Sequence, residues 1–221
     1  MTSDLTAAFE RLAGPDVAVA VRPAASRKEP LWPAEQLAMA RAVPARLAEF
    51  TAGRTAARAA LRSIGLIDMA IPLSPDRAPV WPQGIVGSIT HANKVCVAMV
   101  ARAGAIIGIG VDLELSDPLP ADLWPEVFTA AEIADLEQMP ETDRGQTAKL
   151  FFSAKECTYK CIYPQIQKVM DFSAIEIRHK SADQSFDATL MYQAGPFVAG
   201  TTWHGRYALL DGFVATVLVL R

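Results

Sequence analysis

VCVAMVARAGAIIGIGVDLE, residues 95–114, is the stretch whose reading decides the fold. It holds two apolar, β-branched runs, 95–102 and 105–111, joined by Ala103-Gly104, and it predicts two strands paired as an antiparallel hairpin. The second run ends in Asp112 and Glu114, two positions apart, a spacing that sends both carboxylates to one side of an extended chain.

Downstream, FFSAKECTYK at 151–160 has helical character: Glu156 and Lys160 are four apart and share a face, with Phe152 one turn before Glu156. Two carboxylates from a strand end and one from a helix make a hard-oxygen site suited to Mg2+ holding phosphates. Lysines beside such a site neutralise and orient a polyphosphate. Taken singly, the same residues also read as a solvated helix face and an ordinary strand end.

Upstream, residues 66–92 are rich in proline and glycine and read as irregular, with Arg77, Ser88, Thr90 and His91 as polar candidates. The predicted hairpin brings the His91 loop towards Asp112 and Glu114. Residues 33–65 read as helical, broken once at Pro44, with Leu47, Phe50, Ala57, Leu61 and Ile64 on an apolar stripe and Gly65 as the stop. Arg54, Arg58 and Arg62 stand four apart on that helix, with Arg46 two turns before Arg54. Such a ridge reads first as a solvated face. At Arg54 the preceding Gly53 removes bulk where a ligand could approach. Residues 17–21, VAVAV, read as a strand.

Beyond Glu114 the chain turns to SDPLPADLWPEV, the linker that divides it into halves 1–114 and 115–221. Thr129 to Glu132 is a capping-box pattern opening a short helix that Pro140 closes. The helix carrying Glu156 is expected from about 147 to 162, ending before Pro164. Strands are expected at 173–179, 186–192 and 206–220, the last folded at Asp211-Gly212. The expected class is α+β: two pseudo-symmetric halves, each an antiparallel sheet packed with helices, with no clear sequence repeat.

The 221 residues are 51% hydrophobic, enough for a substantial core. A net charge of only −3 gives no basic surface for nucleic acid. Cys96, Cys157 and Cys161 have no metal-ligand spacing and read as packing residues in a reducing compartment. No signal-peptide pattern and no long apolar span is visible, so a soluble cytoplasmic protein is expected.

Taken together, GRTAARAAL at 53–61, PVWPQGIVGSITH at 79–91, GIGVDLE at 108–114 and FSAKECTYK at 152–160 resemble the 4'-phosphopantetheinyl transferase superfamily, in the family's order and spacing. The group is the surfactin-synthetase-activating type. The WPxGxxGSxTH stretch and LWPAEQ at 31–36 are most similar to enterobactin synthetase component D. The resemblance runs from about residue 30 to 165, with only general strand character after that.

Its implications are specific. Members move the phosphopantetheine arm of coenzyme A to a serine of a carrier protein and release 3',5'-ADP. By the family's motifs Asp112, Glu114 and Glu156 would bind Mg2+. Lys160 would contact the coenzyme A phosphates, accompanied by Lys155. Arg54 and His91 would lie at the 3'-phosphate, with Ser88 and Thr90 in the same motif as His91. Arg77 and Arg46 would sit near the nucleotide. Thr90 and Cys157 stand where serine is usual. The active site would form at the interface of the halves, which favours a monomer. The partner would be an acyl, aryl or peptidyl carrier, with a siderophore system favoured, docking on apolar residues such as Leu119, Leu123 and Trp124. Two other readings share these residues: a magnesium-dependent phosphohydrolase of nucleotides or coenzyme A, and a catalytically idle carrier-binding regulator.

Overall fold

Two compact units, Met1–Ile109 with Arg221 and Gly110–Leu220, make up the chain. The structure is a computed structural model, and it describes residues 2–26, 29–210 and 212–221. The class is α+β, with a three-stranded and a five-stranded sheet among the described residues.

The first unit carries helices α1 (Thr2–Ala13), α2 (Pro33–Met39) and α3 (Pro44–Ser63), and strands β1 (Ala18–Pro23), β2 (Ile85–Ala92) and β3 (Val95–Arg102). Its sheet order is β1-β3-β2, antiparallel throughout. Central β3 is buried from Val95 to Ala101, as a run without polar alternation requires. Small residues of α3, among them Ala56, Ala57 and Ala60, are fully buried in the core beside the sheet. Gly53 serves that approach: a Cβ there would lie 3.2 Å from Ile89. Its missing side chain therefore admits β2, not a ligand.

The hairpin of this unit is β2–β3, not the expected pairing of 95–102 with 105–111. Asn93 and Lys94 form its loop with φ of 41° and 64°, the left-handed pair that matches the twist of two antiparallel strands. The second half of the supposedly irregular 66–92 segment is thus a regular strand. Its turn carries Asn-Lys where Asn-Gly would have announced it.

The second unit continues β4 (Gly108–Leu115), with helices α4 (Trp124–Val127), α5 (Ala130–Gln138) and α6 (Glu141–Ile166) and strands β5 (Ile175–Lys180), β6 (Ser185–Leu190), β7 (Thr202–Leu210) and β8 (Phe213–Leu220). Sheet order is β4-β8-β7-β6-β5, so β4 lies beside the last strand of the chain. The capping box opens α5 as expected: Thr129 accepts from the Glu132 amide while Glu132 accepts from the Thr129 amide. Helix α6 is longer than expected at both ends and holds Pro164 in its last turn. There proline costs only the bond to one carbonyl, and the helix stops at Gln167, whose φ of 45° is left-handed. Asp211, half of the expected last turn, lies outside the described residues. Leu119 and Trp124 are buried in the core of this unit, and only Leu123 of the three proposed docking residues is exposed. Among the described residues no helix is long and apolar enough to cross a membrane. All three cysteines are buried thiols.

Candidate functional site

One face of α6 presents Lys149, Ser153, Glu156 and Lys160 at spacings of four, three and four, a single helical stripe. The end of β4 meets it. Asp112 Oδ1 accepts from Lys160 Nζ at 2.6 Å, and Asp112 Oδ2 accepts from Ser153 Oγ at 2.9 Å. Lys160 also lies 3.8 Å from Glu156, and Lys149 lies 3.5 Å from Glu114. Asp112 is nearly sealed from solvent, with 4% of its side chain exposed, while Glu114 and Glu156 keep 29% and 30%.

The electrostatics follow from this crowding. Burial raises the Glu114 carboxyl above its usual range and the charge of Asp112 adds to it, against Lys149. Burial likewise raises Glu156, where Lys160 opposes and Asp112 reinforces. Burial would lower Lys160, but Asp112 and Glu156 outweigh it and hold the ammonium above its ordinary value. Three carboxylates share too little water, and two ammonium groups balance them.

Among the described residues no three acidic, histidine or cysteine groups converge as ready metal ligands. The donor set nevertheless has the chemistry of a hard cation site: oxygen donors only, and a cationic Lys160 lodged between Asp112 and Glu156.

Lys155 does not join this group. Its ammonium is 2.8 Å from Glu132, donates to the carbonyls of Phe172 and Ile175 at 2.8 and 2.6 Å, and is almost wholly buried. It is spent on structure, not offered to a phosphate. The reason is helical phase: Lys155 lies on the α5 and β5 side of α6, whereas Glu156 and Lys160 face β4. A small cavity is lined by Glu156 and Lys155 together with Tyr159, Val169, Met170, Asp171, Phe172 and Ile175.

In the first unit Arg54 is 4% exposed, with its guanidinium over the Phe50 ring at 4.2 Å and Nε donating to the Ile71 carbonyl at 2.6 Å. Among the described residues its buried Nη2 has no hydrogen-bond partner, nor has Nε of Arg46. Burial lowers Arg54 to about 10; Glu35 opposes this, while Arg58 and Arg46 add to it. A buried guanidinium nitrogen of this kind has a donor to give to an anion.

Glu49 bridges Arg46 at 3.5 Å and His91 at 3.1 Å. Ser88 and Thr90 are buried on the face of β2 opposite His91. Arg77 is exposed in a turn, with a left-handed φ of 68°. The arginine ridge is not one solvated face: Arg54 and Arg58 are buried, Arg58 paired with Glu35 and Glu29, whereas the side chains of Arg46 and Arg62 keep 39% exposure each.

Sequence reasoning passed over Lys149, Ser153, Glu49 and Glu35, and read Glu132 only as a helix-capping residue. Lys149 and Ser153 had a signal, since they precede Glu156 by seven and three on one helical stripe. The pairings of Glu49 with His91, Glu35 with Arg58 and Glu132 with Lys155 had none, because each is distant in the chain.

Comparison with known proteins gives the family. Residues 34–101 match the model of the 4'-phosphopantetheinyl transferase N-terminal domain, and residues 108–216 match that of the 4'-phosphopantetheinyl transferase superfamily. The chain is 38% identical over 199 residues to 4'-phosphopantetheinyl transferase Svp of Streptomyces mobaraensis, covering 86% of this chain and 78% of Svp. It is 31% identical to 4'-phosphopantetheinyl transferase PptT of Mycobacterium tuberculosis, covering 85% of each. Similarity to enterobactin synthase component D of Salmonella typhi reaches 34% but spans 55% of this chain and 50% of that one. The likeness thus extends well past residue 165, and the chain belongs to the 4'-phosphopantetheinyl transferase superfamily.

Proposed function

We propose that this chain, a 4'-phosphopantetheinyl transferase, works with Asp112, Glu114 and Glu156 as ligands of Mg2+ and with Arg54, Arg46 and His91 at the 3'-phosphate of coenzyme A. The observation that carries the reading is the Lys160 ammonium held between Asp112 and Glu156. It marks the point where a divalent ion has its charge and its oxygen donors. When bound, Mg2+ supplies a Lewis acid that draws charge from the pyrophosphate.

The chain's own groups do the rest. Lys160, exchanged from the carboxylates, moves its charge to the phosphates. The buried Nη2 of Arg54 anchors the 3'-phosphate, remote from the reacting phosphorus but fixing the donor's position. A cavity walled by Tyr159, Val169, Met170, Phe172 and Ile175, with Lys155, Glu156 and Asp171 also in its lining, is taken as the place of the pantetheine arm. Glu156, at the rim of that cavity, takes the carrier serine's proton through a water. The serine oxygen forms a bond to the phosphorus that bears the arm. The bond from that phosphorus to the bridging oxygen breaks, and 3',5'-ADP leaves.

The buried thiols support a reducing compartment, taken here as the cytoplasm. A single chain carrying both sets of residues is taken to act as a monomer, with a carrier of a siderophore, peptide, polyketide or fatty-acid system as acceptor.

The test is mass spectrometry of an apo carrier protein incubated with coenzyme A and Mg2+. A gain of the phosphopantetheine mass that falls at least about 100-fold in rate with Glu156→Gln supports the reading. Coenzyme A consumption without mass gain on any of several carriers would replace it with a hydrolase.

A further inference from the structure

Strand β8 reads FVATVLVL and carries one hydroxyl, Thr216, fully buried. It lies in none of the sequence motifs that mark the site. A buried hydroxyl is costly unless it is bonded, so its partners report its purpose. Thr216 Oγ1 lies 2.9 Å from Ser153 Oγ and donates to the Ser153 carbonyl at 3.1 Å. Ser153 Oγ in turn donates to Asp112 Oδ2 at 2.9 Å.

Counting protons gives the chain a direction. Each hydroxyl has one proton, and an ionised carboxylate only accepts. The Ser153 proton is committed to Asp112, so the proton between the two hydroxyls is that of Thr216, shared between Ser153 Oγ and the Ser153 carbonyl. A one-way chain of this kind polarises towards its acceptor end. The two oxygens of Asp112 then have separate duties. Oδ2 is anchored inward through Ser153 and Thr216, and Oδ1 faces the cation, here Lys160 at 2.6 Å.

We infer that Thr216 is a positioning residue for the divalent-ion site, fixing the carboxylate of Asp112 through Ser153 so that Oδ1 is presented to the ion. This rests on the reading of Asp112 as a metal ligand. Groups that orient a ligating carboxylate commonly control metal affinity about as strongly as the weaker ligands do. A packing role for Thr216 is separable from this one. Valine keeps the shape and removes the proton donor, whereas serine keeps the donor and removes the methyl. Packing ranks Thr216→Val above Thr216→Ser; positioning ranks them the other way.

The test uses the full chain and Mn2+ as probe, with free ion measured by electron paramagnetic resonance in the presence of coenzyme A, beside the thermal midpoint of each variant. Thr216→Val is expected to weaken Mn2+ binding about tenfold, and Ser153→Ala to do the same, while Thr216→Ser binds close to wild type. Wild-type affinity in Thr216→Val, or a weaker Thr216→Ser, overturns the inference. So does a wild-type chain that takes up no Mn2+. If Thr216→Val does not fold, Ser153→Ala and Thr216→Ser decide between the same outcomes. Carrier modification is scored separately: mass gain with unaltered Mn2+ binding in Thr216→Val sinks only the positioning role. Weakened Mn2+ binding with no mass gain even in wild type sinks only the transferase reading.

Discussion

Lys155 and Glu132 face each other 2.8 Å apart with about 1% of either side chain exposed, one residue along the helix from Glu156. Burial pushes each group towards its neutral form, lowering the lysine and raising the carboxyl, and each opposes the other's shift. Glu132 also accepts from the amides of Thr129 and Ile177, so the pair ties α5, α6 and β5 together. Lys155→Met should therefore destabilise the fold by about 3–5 kcal/mol, because it leaves a buried carboxylate alone. The double change with Glu132→Gln should recover part of that loss. Chemical unfolding measures both. A Lys155→Met protein of normal stability but raised KM for coenzyme A would return Lys155 to the phosphates.

Gly110 fixes how closely β4 approaches α6. A Cβ on it would overlap the Cys157 carbonyl oxygen and meet Cys161 Cβ at 2.9 Å. Both obstacles belong to a packed helix and cannot swing aside. Gly110→Ala should cost about 1–3 kcal/mol or more and push β4, with Asp112 two residues on, away from Ser153 and Lys160. The thermal midpoint and transfer rate should fall together. A stable variant with normal rate would show that this approach does not set the site.

The residues explain how far the sequence could be read. Local signals held: the capping box at Thr129, the break at Pro44, the strands after 173 and the carboxylates at the end of β4. What failed was pairing. A two-run apolar stretch split by Ala-Gly looks like a hairpin whether or not its runs pair, and β4 is claimed by β8, about a hundred residues later. The acidic and basic candidates could be picked out because their spacing is local to one strand or one helix. Lys155 was misplaced because a motif records neighbours in sequence, and adjacent helical residues point about 100° apart. Thr216 and Glu132 were invisible because their meaning lies in partners on other elements.

Arg54 offers a prediction that isolates one phosphate. Among the described residues its buried Nη2 has no partner, and its other contacts are internal. Arg54→Lys keeps the charge but loses the planar fork. With coenzyme A as donor, KM should rise about tenfold, the scale of one charged hydrogen bond. With 3'-dephospho-coenzyme A, wild type and variant should differ little, since the group that Arg54 binds is gone. An equal penalty with both donors would remove Arg54 from the 3'-phosphate and leave it a structural role.

Glu29 supplies the pH dependence. It accepts from Arg58 Nε at 2.8 Å and from Arg62 Nη2 at 2.7 Å. Burial alone would raise its pKa, but the hydrogen bonds from Arg62 and Arg58 outweigh it and hold the carboxyl below 4.5. A carboxyl whose pKa is depressed on folding stabilises the native state above its unfolded value, and that contribution is lost as pH falls through the folded value. Glu29→Gln should therefore lower stability at neutral pH. The gap from wild type should then close as acid protonates the wild-type carboxyl. Urea unfolding of both proteins across that range measures the gap. A difference that stays constant from neutral pH down past the folded value would mean that Glu29 acts by shape and not by charge.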